Sequence, residues 1–107
     1  MKNKIYLSGA ISNNKNHKRD FKRAEEFFKK KGFRVLNPIK TSAYKNKKSS
    51  GVCMFNALSL LKNADFIVFI TKGIKSNGVK IERLLAKYCG IKEICLTKKE
   101  KEELWHT

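Results

Sequence analysis

Acidic side chains are scarce in this sequence. Nine Asp and Glu stand against 25 Lys and Arg, which leaves a net charge of +16. A field of that sign draws in polyanions and phosphate esters. The excess is mostly Lys spread along the whole chain, often beside Asn, so charge alone singles out no surface. Cysteine is sparse too. Cys53, Cys89 and Cys95 are an odd set without a CxxC spacing, which supports neither a disulfide framework nor a zinc site. Buried, reduced thiols are the expectation, and no metal or cofactor is implied. There is one proline. No run approaches the ~20 apolar residues of a membrane helix. Met1-Lys2-Asn3-Lys4 leads straight into a strand-like segment, without the apolar core of ~7–15 residues that marks a signal peptide. These absences predict a cytoplasmic protein with no membrane partner. His17 and His106 have no evident partner and read as surface residues.

Hydrophobic residues make up 41% of the 107, enough for one ordinary core and one domain spanning 1–107. Ile5-Tyr6-Leu7-Ser8 reads as a buried strand ending at Gly9. Phe21, Ala24 and Phe28 recur at helical spacing in a charged segment that stops at Gly32. Phe33-Arg34-Val35-Leu36 is a second strand, halted by Asn37-Pro38. Lys40 to Gly51 reads as a basic, Ser-rich loop. Met54, Ala57, Leu58 and Leu61 mark a second helix. Phe66 to Ile70 is an unbroken apolar run that suits a central strand buried on both faces. After a loop over Thr71–Asn77, Ile81, Leu84, Leu85 and Tyr88 line a third helix ending near Gly90. Ile94-Cys95-Leu96 is a last strand, and Thr97 with Glu100 forms a capping box for a final helix.

Strands alternating with helices predict an α/β fold: a small flavodoxin-like or Rossmann-like three-layer sandwich. Its parallel sheet would have about four strands in the order 2-1-3-4. Ligands of such sheets bind beyond the carboxyl ends of the strands, where the order reverses. The loops Gly9–Asn16 and Thr71–Asn77 should therefore face a ligand together.

Ser76 and Gly78 lie where the second of these loops enters a helix. The first amides of a helix lack internal partners and carry partial positive charge. A phosphate fits there, and Gly78 would let it approach the backbone. A simple helix cap by Ser76 or Asn77 explains the same residues. Glu82 sits about one turn inside that helix. A carboxylate there could serve as nucleophile at a sugar carbon; a solvated Glu on a Lys-rich surface is the alternative. Gly9 would let backbone approach a ligand. Tyr6 could stack or hydrogen-bond, or belong to the core.

Four segments together resemble the nucleoside 2-deoxyribosyltransferase-like family, including its short bacterial and phage members. They are Tyr6-Leu7-Ser8-Gly9-Ala10-Ile11, Val35-Leu36-Asn37-Pro38, Leu60-Leu61-Lys62-Asn63-Ala64-Asp65 and Ser76-Asn77-Gly78-Val79-Lys80-Ile81-Glu82. The resemblance implies Glu82 as the nucleophile that attacks the anomeric carbon and expels the base. It implies Ser76 and Gly78 as a 5′-phosphate site. Tyr6, Ser8, Gly9 and Ile11 would line the sugar and base pocket. Asp65 would contribute to substrate binding or only cap its strand. It also implies a small nucleoside or nucleotide as substrate, a homodimer or higher homo-oligomer, and host cytoplasm if the chain is phage-encoded. One departure stands out. Ala57 occupies the position where well-studied members carry an Asp that orients the sugar or protonates the base. An Ala can do neither, and loss of a general acid costs about 10²–10⁴-fold in rate. Asn56 is adjacent but points about 100° around the helix.

Three readings follow. The first is an enzyme that cleaves or transfers an N-glycosidic bond. The second is a nucleotide-binding or sequestering protein without catalysis. The third is a nucleic-acid binder using the Lys-rich helix and the Lys40–Lys48 loop, where only Tyr44 interleaves the cations.

Overall fold

A computed structural model describes residues 2–71 and 76–105. Four parallel strands, β1 (Lys4–Ser8), β2 (Arg34–Leu36), β3 (Phe66–Phe69) and β4 (Lys92–Glu93), form one sheet in the order β2-β1-β3-β4. This is the expected small Rossmann-like or flavodoxin-like α/β fold. The helices are α1 (His17–Lys30), α2 (Ser42–Lys45), α3 (Ser50–Leu61), α4 (Asn77–Tyr88) and α5 (Lys98–Trp105). No helix among the described residues is long and apolar enough to cross a membrane.

Side chains alternate across β1, and that alternation creates two cores. Ile5 and Leu7 face one way, into a cluster with Phe21, Ala24 and Phe28 of α1 and Leu104 of α5. Tyr6 faces the other way, with Ala57 and Leu61 of α3 and Ala86 of α4. The sheet is thus the middle of three layers. Phe21 and Phe28 are fully buried, each worth roughly 2–3 kcal/mol of transfer free energy.

Termination follows the local chemistry. After α1, Gly32 adopts φ +92°, a conformation that favours glycine. Before α5, the Thr97 amide donates to Glu100 Oε1 at 3.0 Å and the Glu100 amide donates to Thr97 Oγ1 at 3.1 Å, the reciprocal pattern of a capping box.

Three expectations need correction. The segment 40–51 is not one loop. Asn37, Thr41 and Ser49 side chains accept from the amides of Ile39, Tyr44 and Val52, and these caps start a 3₁₀ turn at Pro38, α2 and α3. The last strand lies at Lys92–Glu93, two residues earlier than its apolar run. Ile94 still donates its amide to the Ile67 carbonyl at 2.8 Å, while Ile94 and Leu96 pack against the α1 side. Finally, Cys89 and Cys95 are exposed and Cys53 is half-buried, all three as free thiols.

Candidate functional site

The carboxyl ends of β1 and β3 meet where the strand order reverses. Ser8 pairs with Phe69 in register. The Ile70 amide donates to the Ser8 carbonyl at 2.8 Å. The Ala10 amide then donates to Thr71 Oγ1 at 2.9 Å. The loops leaving the two strands are therefore tied together at this end.

Above β1 lies α4. Ser76 caps it, accepting from the Val79 amide at 3.3 Å. Asn77 and Gly78 are its first helical residues, whose amides have no partner within the helix. The inward face of α4 carries Glu82 and Ala86. The expected stripe is only partly turned inward: Leu85 packs against the core that holds Tyr6 and Ala86, while Ile81, Leu84 and Tyr88 are exposed. The helix packs a carboxylate against the sheet because the sheet meets it with hydroxyls. Tyr6 and Ser8, two apart on β1, project to the same side. Tyr6 Oη donates to Glu82 Oε2, and Ser8 Oγ donates to Glu82 Oε1 at 2.9 Å.

Glu82 is 5% exposed. Burial pushes its carboxyl from 4.5 up to about 7, against the opposing pull of the Tyr6 and Ser8 hydrogen bonds. Burial, and next the charge and hydrogen bond of Glu82, pushes the Tyr6 phenol well above 10. Near neutral pH the phenol is thus a fixed donor, and Glu82 is divided between acid and carboxylate. Such a group can act as nucleophile or exchange a proton.

Several other expected residues gather at this end of the sheet. Ile11 lines an open concavity of about 540 Å³ formed by residues 11–17. Gly9 follows Ser8 directly, but a Cβ there would lie 2.8 Å from Ile70 Cγ1 and 3.3 Å from Phe21 Cζ. Packing therefore fills the space that glycine leaves. At Gly78 a Cβ would meet Met54 Cε at 2.7 Å, the tip of a flexible side chain. Asp65 lies at the opposite end. Its Oδ2 accepts from the Lys4 amide at 3.0 Å, about 13 Å along β1 from Ser8 at the usual strand rise. The structure does not bring it to Glu82. Residues 72–75, within the second expected loop, and His106 lie outside the described residues.

Ala57 is buried in the same cluster as Tyr6. Asn56 turns away, donating to the Val52 carbonyl of its own helix at 2.9 Å. Among the described residues no three His, Cys, Asp or Glu side chains form a group that could hold a metal ion.

Some bordering side chains carry no signal in the sequence. Phe69 stands beside Ser8 across the strand pair. The Arg83 guanidinium lies over its ring at 3.9 Å from the centroid, and Arg83 Nη1 donates to Glu93 at 3.2 Å. His17 is not a bare surface residue: Nδ1 lies 3.0 Å from the Asn14 carbonyl and Nε2 2.5 Å from Tyr44 Oη. Tyr44 is thereby engaged within the fold, which weakens it as a base-stacking platform.

A family model described as Domain of unknown function (DUF4406) matches residues 3–95. That span runs from β1 through the start of α4 and Glu82 to β4. No curated protein matches the chain.

Proposed function

The chain belongs to the DUF4406 family, and from that premise we propose that it cleaves or transfers the N-glycosidic bond of a deoxynucleoside or its 5′-monophosphate. One observation carries the reading. Glu82 is a buried carboxylate held by Tyr6 and Ser8 at the carboxyl end of the sheet, ionising near neutrality. In the proposed reaction an oxygen of ionised Glu82 attacks the anomeric carbon. The bond to the base breaks, and the base leaves with the electron pair and takes a proton from water. Attack of water on the glycosyl ester then frees the sugar and returns the carboxylate; a second base in place of water gives transfer. The start of α4, with the Ser76 hydroxyl and the amides of Asn77 and Gly78, would hold the 5′-phosphate. The motif resemblance to nucleoside 2-deoxyribosyltransferases supports the same roles.

Ala57 favours a second reading, nucleotide capture without turnover, because the position beside Tyr6 offers no proton donor. Chromatography after incubation with a panel of deoxynucleosides and deoxynucleotides separates the two. Free base formed by the wild-type chain and lost in Glu82→Gln supports the enzyme. Turnover that persists in Glu82→Gln removes Glu82 as nucleophile. Saturable binding without base release supports capture.

A further inference from the structure

Both α3 and α4 begin at the carboxyl end of the sheet, and one side chain joins their first turns. A Cβ at Gly78 would lie 2.7 Å from Met54 Cε and 3.6 Å from Ser76 Oγ. The Met54 methyl therefore occupies the space that a side chain at 78 would take, beside the capping hydroxyl. Met54 is half-buried and lies three residues before buried Ala57, on the side of α3 that faces the sheet. Gly78 and Glu82 are four apart, so they share the inward side of α4 one turn, about 5.4 Å, from each other. With the anomeric carbon at Glu82, a sugar whose exocyclic carbon points to the start of α4 brings its 5′ substituent against Met54.

We propose that Met54 sets the choice of substrate at this position, favouring a deoxynucleoside with a neutral 5′-hydroxyl over its 5′-monophosphate. This deepens the proposed reaction and rests on it for the placing of the sugar on Glu82. A hydroxyl needs one partner, and Ser76 can be that partner. Its Oγ accepts from the Val79 amide at 3.3 Å and still has its own proton to donate. A phosphate dianion needs water or donors on every side. Towards α3 it meets a methyl, and the run 49–61 contains no charged residue. The attraction of an exposed helix start for an anion is worth only about 2–5-fold in affinity, too little to offset the water lost against an apolar wall. Met54 is unbranched and turns about three side-chain bonds, so it can swing aside. The start of α4 then holds the phosphate, but only after that rearrangement. The monophosphate is thus the poorer substrate and not an excluded one.

Deoxynucleosides and their 5′-monophosphates, paired by base, test this in two readouts. One is the ratio of kcat/KM for base release. The other is the ratio of dissociation constants, measured by calorimetry in the Glu82→Gln background, which needs no turnover. With Met54 in place the deoxynucleoside should be favoured about tenfold. Met54→Ala should bring the ratio near one. Met54→Lys should reverse it to about tenfold in favour of the monophosphate, because an ammonium then faces the dianion. Met54→Leu, which conserves volume, should keep the original ratio. A general loss of packing would weaken both members of a pair alike and leave the ratio unmoved. If the Ala or the Lys variant misfolds, the other decides. Preference for the monophosphate with Met54 in place overturns the inference. So does a ratio that a folded Ala or Lys variant leaves unchanged, or the absence of saturable binding by both members. Binding ratios in the expected order without base release would sink the proposed chemistry and leave the role of Met54 standing.

Discussion

Replacing Glu82 with Gln should make the protein more stable at neutral pH, by an amount that depends on pH. The unfolded chain releases this proton near 4.5 and the folded chain near 7. Between those values the folded state keeps a proton that the unfolded state has lost. Stability contributed by this group is therefore complete below 4.5 and declines as pH rises through 7. A rise from 4.5 to about 7, at about 1.4 kcal/mol per tenfold change in proton affinity, comes to about 3 kcal/mol. Gln cannot ionise, and its amide keeps an oxygen for one hydroxyl and presents N–H to the other. The variant should match the wild type near pH 4.5, apart from a constant offset for that rearranged hydrogen bond. By about pH 8 it should gain about 3 kcal/mol relative to that offset, equivalent to a melting-temperature gain on the order of 10 °C or more. Urea denaturation of both proteins across this range gives the difference directly, because every other titrating group is common to both. A difference that stays constant with pH would refute the argument, since Glu82 would then ionise alike in the folded and unfolded states.

The same carboxyl governs the proposed chemistry. Base release should rise with pH to a plateau with a midpoint near 7, as the ionised form accumulates; a flat or falling profile argues against Glu82 as nucleophile. Tyr6→Phe removes a hydrogen bond that holds the carboxyl down. It should move that midpoint upward and slow release about tenfold at neutral pH, with the carboxyl carbon shift of Glu82 in NMR as the direct readout. Gly9→Ala should cost about 1–3 kcal/mol in urea denaturation, because its methyl would fall 2.8 Å from Ile70 Cγ1.

Much of the fold was legible in the sequence because its strongest signals are local. Apolar runs, the caps at Gly32 and Thr97, and the alternation of strand and helix led to the right sheet order. The orientation of α4 was not legible. Ile81, Leu84, Leu85 and Tyr88 make a persuasive apolar stripe, yet of the four only Leu85 packs against the core, and Glu82 and Ala86 are the buried residues of the helix. Hydrophobic periodicity assumes that the buried side is the apolar side, and here the sheet offers hydroxyls while the opposite face is also apolar. Local spacing could not supply the direct hydrogen bonds of Tyr6 and Ser8 to Glu82 either, although the family resemblance grouped the three residues in one site. The bonded residues are 74 and 76 positions apart, and no local pattern encodes that distance. Tyr44 and His17, 27 positions apart, were missed in the same way. The caps at Thr41 and Ser49, by contrast, are local signals that lie in a stretch rich in Lys.

The alternation along β1 also acts as a parity check on folding. A slip of one residue in its pairing with β3 would exchange the two faces of the strand. Ile5 and Leu7 would then meet the carboxylate, while a phenol and a hydroxyl would be driven among Phe21, Phe28 and Leu104 without partners. Both errors are expensive, and neither can be offset by the other. The polar cluster thus has a use before any ligand arrives: it helps make the native strand register the only one in which every buried oxygen of the cluster finds a partner.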